Sequence, residues 1–293
     1  MKMSNTFLIP EQYKGLSPLD FIKHALMEDI ADGDHTSLAT IPESESGKAA
    51  VKFKEDGILC GIDLAEMIFS EVDNSLNCIC YKSEGERIQS GTVVMEIYGN
   101  TRSLLSAERL VLNCMQRMSG IATNTSRYVR EVEGSGTVIL DTRKTTPNFR
   151  MFEKMAVKTG GGENHRFGLF DMILIKDNHV DAAGGIKSAI QRARQYLKDT
   201  KKNIPVEIET RNLTEVNEVM ECGGVNRIML DNFSPEIMKE AVKIIGGKFE
   251  TEASGGINLD NIRKYAFTGV NYISVGALTH SSSSLDISMK LSK

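Results

Sequence analysis

The stretch that decides the fold runs from 138 to 179: VILDTRKTTPNFRMFEKMAVKTGGGENHRFGLFDMILIKDNH. It holds two short apolar runs, Val138–Leu140 and Met172–Ile175. Each ends abruptly on polar residues, Asp141-Thr142-Arg143-Lys144 after the first and Lys176-Asp177-Asn178-His179 after the second. Short, β-branched, fully apolar runs read as strands buried on both faces, as in a parallel sheet covered by helices. The same unit recurs downstream. Val206–Ile208 ends at Glu209, Ile228–Leu230 at Asp231-Asn232, Phe249–Ala253 at Ser254-Gly255-Gly256, and Tyr272–Val275 at Gly276. Helical periodicity fills most gaps, at Ala183–Leu197, Leu213–Cys222, Pro235–Ile245 and Leu259–Ala266. Six or seven such units predict an α/β barrel, closed or incomplete, over a doubly wound sheet. No GxGxxG follows the first strand, which counts against a dinucleotide-binding fold.

The amino-terminal part reads differently. Ser17-Pro18 opens a helix to about Ile30, with Ser as cap and Pro in the first turn. Lys48–Lys54, Gly57–Ile62, Asn77–Lys82 and Thr92–Tyr98 are short and β-like. GERIQSGTVVMEI (85–97) has a turn like those of biotinyl and lipoyl domains but no lysine at its tip, so it reads as scaffold. From Ser103 to Val132 the pattern is helical, with Leu105, Leu110, Leu112, Met115 and Met118 on an apolar face and Gly120 as a candidate break. The expected organisation is an amino-terminal α/β sandwich over 1–115, rejoined by 280–293, and a barrel over 116–279.

The chain has 293 residues, 41% hydrophobic and 25% charged, with a net charge of −4. That is ordinary globular usage, and the acidic balance without Trp excludes nucleic acid as main partner. Met1–Lys14 has no basic and apolar signal pattern. Tyr265–Leu285 lacks charges but is too rich in Ser, Gly and Asn to span a membrane. The five cysteines are scattered without a CxxC pair, so reduced thiols and a cytoplasmic setting are expected.

In a parallel barrel the strand ends share one rim, where active sites sit. Between Asp141 and Val180 there are seven Lys/Arg against five Asp/Glu, a local +2 that leaves −6 elsewhere. A basic focus in an acidic molecule suits a small anionic substrate. Arg143 and Arg166 offer planar forks, Lys144 and Lys176 point charges, and His165 a further donor. Arg150, Lys154 and Lys158 lie at i, i+4, i+8 and read as a solvated helix face. Gly160-Gly161-Gly162 lets backbone approach a ligand. Ser254, Gly255 and Gly256, before a helix expected near Asn258, form an anion cradle that Gly276 would complete. Glu209 and Asp231 form an acidic pair for ribose hydroxyls, a metal, or acid–base work. His24 and His280 have no constellation and read as structural.

These residues resemble the quinolinate phosphoribosyltransferase family. The resemblance rests on 141–179 together with ERLVLNCMQRMSGIAT (108–123), VEIET (206–210), IMLDN (228–232), ASGGI (253–257), GVNYISVGALTHS (269–281) and ALMEDIADGDHTS (25–37), in family order. One departure is Asn148, where the family more often has Gly. The resemblance implies an open α/β barrel with an amino-terminal α/β sandwich. It implies transfer of phosphoribose from phosphoribosyl pyrophosphate to quinolinate, releasing pyrophosphate and CO2 and giving nicotinate mononucleotide, with Mg2+. It also implies a homodimer or higher homo-oligomer in which Arg109 enters the neighbour's site. Arg143, His165 and Arg166 would then bind quinolinate, and Ser254, Gly255, Gly256 and Gly276 the 5′-phosphate. Glu209, Asp231, Lys144 and Lys176 would be catalytic. No metal ligand is assigned outright; Glu209 and Asp231 are the carboxylates open to Mg2+, which would arrive on phosphoribosyl pyrophosphate. No pyridoxal phosphate, thiamine or flavin is expected, because the alkylated ring nitrogen itself accepts the electron pair left by CO2. The competing readings are a phosphoribosyltransferase with another acceptor, a Schiff-base aldolase using Lys144 or Lys176, and a non-catalytic nucleotide sensor.

Overall fold

Ser17 caps the first helix, α1 (Pro18–Ile30): its hydroxyl accepts the Asp20 N–H, and Asp20 accepts the Ser17 N–H in return. The computed structural model describes residues 10–292, so most of the Met1–Lys14 reading lies outside the described residues. After α1 come α2 (His35–Thr40), β1 (Ser46–Phe53), β2 (Gly57–Ile58), α3 (Ile62–Val72), β3 (Asn77–Cys80), β4 (Arg87–Ile88), β5 (Val93–Asn100) and α4 (Thr101–Glu131). Periodicity does not show α3, whose first residue, Ile62, closes the β-like run Gly57–Ile62. Its left-handed Gly61 turns the chain from β2 directly into the helix, and Glu84 accepts the N–H groups of Gly61 and Ile62.

Four strands form one antiparallel sheet in the order β12-β1-β5-β3, where β12 (Ile287–Ser292) is the last element of the chain. Ala49, Val51 and Phe53 alternate along β1 toward the core, as one-sided burial demands. Helix α4 packs on β1, β5 and β12, and α3 packs on α4. Helix α4 runs through Gly120 without a break. A Cβ at Gly120 would lie 2.1 Å from the Ser283 carbonyl oxygen, so glycine is there for close approach of the returning chain.

The second layer holds β6 (Val138–Leu140), α5 (Arg150–Thr159), β7 (Ile173–Ile175), α6 (Asp177–Ala183), α7 (Ile186–Thr200), β8 (Val206–Thr210), α8 (Leu213–Cys222), β9 (Arg227–Asp231), α9 (Pro235–Ile245), β10 (Glu250–Ser254), α10 (Ile262–Ala266), β11 (Tyr272–Ser274) and α11 (Ala277–His280). Its six strands are all parallel, in the order β6-β11-β10-β9-β8-β7. No pairing closes β6 on β7 among the described residues, so the barrel is open. The helix expected over Ala183–Leu197 starts later, at Ile186, because Gly184 and Gly185 adopt positive φ and separate α7 from α6. The stripe of α8 that faces the sheet places Val216 and Val219 at zero exposure. Each such side chain contributes about 1.5–3 kcal/mol of burial. All five cysteines are free, with Cys60 and Cys114 buried. Among the described residues no helix is long and apolar enough to cross a membrane.

Candidate active site

The carboxyl ends of the six parallel strands surround a pocket of about 780 Å³. Its wall carries Arg143 and Lys144 beyond β6, Lys176 beyond β7, Glu209 in β8, Asp231 ending β9, Ser254 ending β10 with Gly255-Gly256 beyond it, and Gly276 beyond β11. His165 and Arg166 reach it from the segment after α5. Of the twelve residues singled out from sequence, only Arg109 stands apart; it is an exposed residue of α4. A second cleft of about 640 Å³, at the amino ends of β8 to β10, holds none of them.

Glu209 and Asp231 sit at the ends of adjacent strands. Burial, then the neighbouring Asp231 charge, push Glu209 above the usual carboxylate range, against the pull of Lys176 at 3.7 Å. Asp231 is held on both oxygens: Ser254 Oγ donates to Oδ1 (2.5 Å) and Asn232 Nδ2 to Oδ2 (2.6 Å). Ser254 is therefore also a support for Asp231. Lys176 is half-exposed, and its amide donates to His179 Nδ1 (2.9 Å) in the first turn of α6. Lys144 is exposed at the mouth.

Beyond Ser254 the backbone turns through Gly255 and Gly256, both at positive φ (90° and 64°). Regular helix starts at Ile262, not near Asn258, and α10 has five residues. The cradle is thus a nest of successive backbone N–H groups rather than the end of a long helix.

His165 points down into the barrel. Its Nε2 lies 3.0 Å from Glu207 Oε2 and 3.4 Å from Glu252 Oε2, ion-pair distances without good hydrogen-bond direction. Its Nδ1 accepts the Arg166 N–H (2.8 Å), which places the ring proton on Nε2, toward the carboxylates. Burial, then the Glu252 charge, push Glu207 up to about 7, while the full burial of Glu252 is outweighed by His165, Ser274 and Arg227, which keep it low. The ring's basicity is raised by the same two carboxylates despite burial. A second ring proton on Nδ1 would oppose the Arg166 N–H, so the geometry favours the singly protonated ring. A three-ligand cation cage of His165, Glu207 and Glu252 is disfavoured for the same reason. His165 thus lines the pocket with its ring committed to buried acids.

The reading of α5 as a solvated face fails for two of its three cations. Lys154 is buried at 2% exposure and pairs with Asp141 (2.5 Å), and Arg150 is half-buried and bonded at every nitrogen. Only Lys158 keeps a half-exposed pair, with Glu163. The i, i+4 spacing is compatible with a buried polar face because partners, Asp141 and the 143 and 167 carbonyls, come from the segments flanking α5. Glu153, also buried, accepts Arg117 from α4 and both the N–H and hydroxyl of Thr146. His280, read as structural, lines the pocket beside Gly276. It lies one helical turn after Gly276, a relation visible only once that glycine is placed in the pocket. Asn148 takes φ 61°, the left-handed region that glycine enters most easily, which accounts for the departure noted there.

Two domain descriptions match the chain: Quinolinate phosphoribosyl transferase, N-terminal domain, over 34–119, and C-terminal domain, over 121–290. The chain belongs to the quinolinate phosphoribosyltransferase family. It is 48% identical over 282 residues to quinolinate phosphoribosyltransferase [decarboxylating] 2a, mitochondrial, of Nicotiana tabacum, covering 91% of this chain and 80% of that one. It is 45% identical to a probable nicotinate-nucleotide pyrophosphorylase [carboxylating] of Bacillus subtilis, covering 92% and 91%. The crystal structure of NadC from Streptococcus pyogenes superposes with a TM-score of 0.89 at 40% identity, over 96% of this chain and 99% of that one. Helix α4 passes from one family domain to the other unbroken.

Proposed function

We propose that this chain is a carboxylating nicotinate-nucleotide diphosphorylase, a pentosyltransferase of NAD biosynthesis. It joins quinolinate to the phosphoribosyl group of phosphoribosyl pyrophosphate, with release of pyrophosphate and CO2. The observation that carries the reading is the single pocket in which a cationic wall, an acidic pair and a glycine nest face one another. Each suits one part of the two substrates. Arg143 and Arg166 oppose the two adjacent carboxylates of quinolinate, and Lys176 adds a third charge. The nest of Ser254, Gly255 and Gly256, with Gly276 opposite, takes the 5′-phosphate. Glu209 and Asp231 hold the ribose hydroxyls and stabilise the positive charge that builds on the ribose as pyrophosphate leaves. Lys144, at the mouth, meets the departing phosphates. Holding ring nitrogen and anomeric carbon in register contributes several kcal/mol, about 7–11 at most.

Two hard carboxylates at adjacent strand ends fit Mg2+, and the ion would reach them on phosphoribosyl pyrophosphate. When bound it supplies neutralisation of the pyrophosphate charge. The Schiff-base reading needs a desolvated lysine, and Lys144 is exposed while Lys176 is half-exposed beside Glu209. Arg109, exposed and outside its own pocket, suits insertion into the site of a second copy. On this reading the active species is a homodimer or larger, working in the cytoplasm. Mixing Arg109→Ala subunits with subunits disabled at Glu209 tests this. Recovery of activity in the mixture supports a shared site, and strictly additive residual activities contradict it.

A further inference from the structure

Arg150 and Lys154 stand one turn apart on α5, and their bonds fall on two separate segments. Arg150 donates to Thr145 Oγ1 (2.9 Å) and the Arg143 carbonyl (3.4 Å) on one side, and to the Phe167 carbonyl (3.0 Å) on the other. Lys154 donates to Asp141 Oδ1 (2.5 Å) and to the His165 carbonyl (3.0 Å). Asp141 Oδ1 also accepts the His165 N–H (2.9 Å). Asn164, with its amide turned so that donors meet acceptors, bonds the other Asp141 oxygen (2.7 Å) and the Lys154 carbonyl. Backbone pairing between the two segments ends at the Asp141 N–H to Glu163 carbonyl bond. Beyond it, the Asp141 carboxylate on the His165 N–H and the side chains of Arg150 and Lys154 cross-link 141–145 to 165–167.

Those segments carry Arg143 and Arg166. The two guanidinium groups oppose each other: burial, then the Arg143 charge, hold Arg166 below its ordinary basicity, and the same two causes act on Arg150. Arg143 Nε is buried without a partner. Like charges gathered on one pocket wall push their segments apart unless something resists. Asp171 anchors one end of the second segment, accepting the Phe167 and Gly168 N–H groups. The α5 staples supply the rest. Buried as an ion pair, Asp141 and Lys154 are each driven toward their neutral forms by desolvation, and further bonds to both, from the His165 N–H and Asn164 to Asp141 and from Lys154 to the His165 carbonyl, offset that cost.

We infer that Arg150 and Lys154 are positioning residues that fix the spacing of Arg143 with Arg166, and thereby select an acceptor with two adjacent carboxylates over one with a single carboxylate. The inference rests on the acceptor reading above. A vicinal dicarboxylate engages both arginines only at one separation, whereas a lone carboxylate needs one arginine and tolerates drift. Misplacement by about 1 Å costs on the order of 100-fold in a well-organised site.

The test uses full-length protein, wild type and the variants Lys154→Met and Arg150→Gln. Calorimetry gives Kd for benzene-1,2-dicarboxylate and for benzoate. Steady-state assays give KM for quinolinate and for phosphoribosyl pyrophosphate. Expected in each variant is at least a roughly 10-fold rise in dicarboxylate Kd and quinolinate KM, with benzoate Kd and phosphoribosyl pyrophosphate KM within about 3-fold. Arg150→Gln, which leaves the buried pair intact, keeps the test valid if Lys154→Met does not fold. A folded variant with unchanged dicarboxylate Kd, or with both KM values raised alike, overturns the inference. Failure of the wild-type protein to bind the dicarboxylate overturns the acceptor reading itself.

Discussion

Substituting Gly255 by Ala isolates the coupling between the phosphate nest and the acidic pair. A Cβ there would lie 2.1 Å from Asn232 Oδ1 and 2.9 Å from the Asn232 backbone nitrogen. The first distance is more than about 1 Å short of ordinary contact. The amide side chain can swing away, but doing so breaks its bond to Asp231 Oδ2, and the backbone nitrogen cannot follow without moving the strand end. Asp231 therefore shifts in either case. Gly247 is the internal control, because its φ is also positive (75°), a Cβ there meets nothing within 4 Å, and it lies outside the pocket. Both substitutions place an L side chain at positive φ, costing about 1–2 kcal/mol. That lowers Tm by roughly 2–4 °C per kcal/mol at most in a chain of this size. Gly255→Ala adds misplacement of the acidic pair, on the order of 100-fold in kcat/KM for phosphoribosyl pyrophosphate. The assay is steady-state kinetics on both variants beside thermal melts. Equal kcat/KM in the two variants, at matched Tm, would refute the claim that Gly255 is there for Asn232 and Asp231.

Arg143→Ala removes a fork from the dicarboxylate wall. Two charge-assisted bonds at about 1.5–3 kcal/mol each predict a rise of 100-fold or more in quinolinate KM, and near-normal kinetics would contradict the assignment. Glu209→Gln is expected to lower kcat by about 100- to 1,000-fold while quinolinate KM stays within about 3-fold; the reverse split would make Glu209 a binding group only. Glu96 gives a pH prediction away from the site. The Lys48 ammonium first, then the Tyr81 and Tyr98 hydroxyls, hold it down to about 2 from an ordinary 4.5. A carboxyl lowered on folding stabilises above its unfolded value and loses that contribution as pH falls from 4.5 toward 2. Tm should thus fall more steeply across that window in wild type than in Glu96→Gln, and parallel curves would count against the pairing.

The barrel was legible because its strands are buried on both faces and end on polar residues, two signals that survive in a single sequence. β8 shows how far this goes: Val206–Thr210 is buried at every position, yet the acids within it mark the site. The sandwich was less legible. Its helix α3 begins directly after a two-residue strand, and a run as short as Gly57–Ile62 does not separate strand from helix by periodicity. The α5 cations misled for a different reason. Spacing says which side chains share a face, but whether that face meets water depends on how the flanking loops fold over it, here 141–145 and 165–167. His280 was missed because a lone histidine carries no pattern until Gly276 and Lys144 are seen beside it.

On the proposed function one pocket holds a dicarboxylate and a ribose phosphate at once. Purified protein incubated with quinolinate, phosphoribosyl pyrophosphate and Mg2+, with nicotinate as parallel acceptor, tests it most directly. Release of CO2 with formation of nicotinate mononucleotide from quinolinate, and no product from nicotinate, is the predicted result. Product from nicotinate alone, or from neither acceptor, would contradict it.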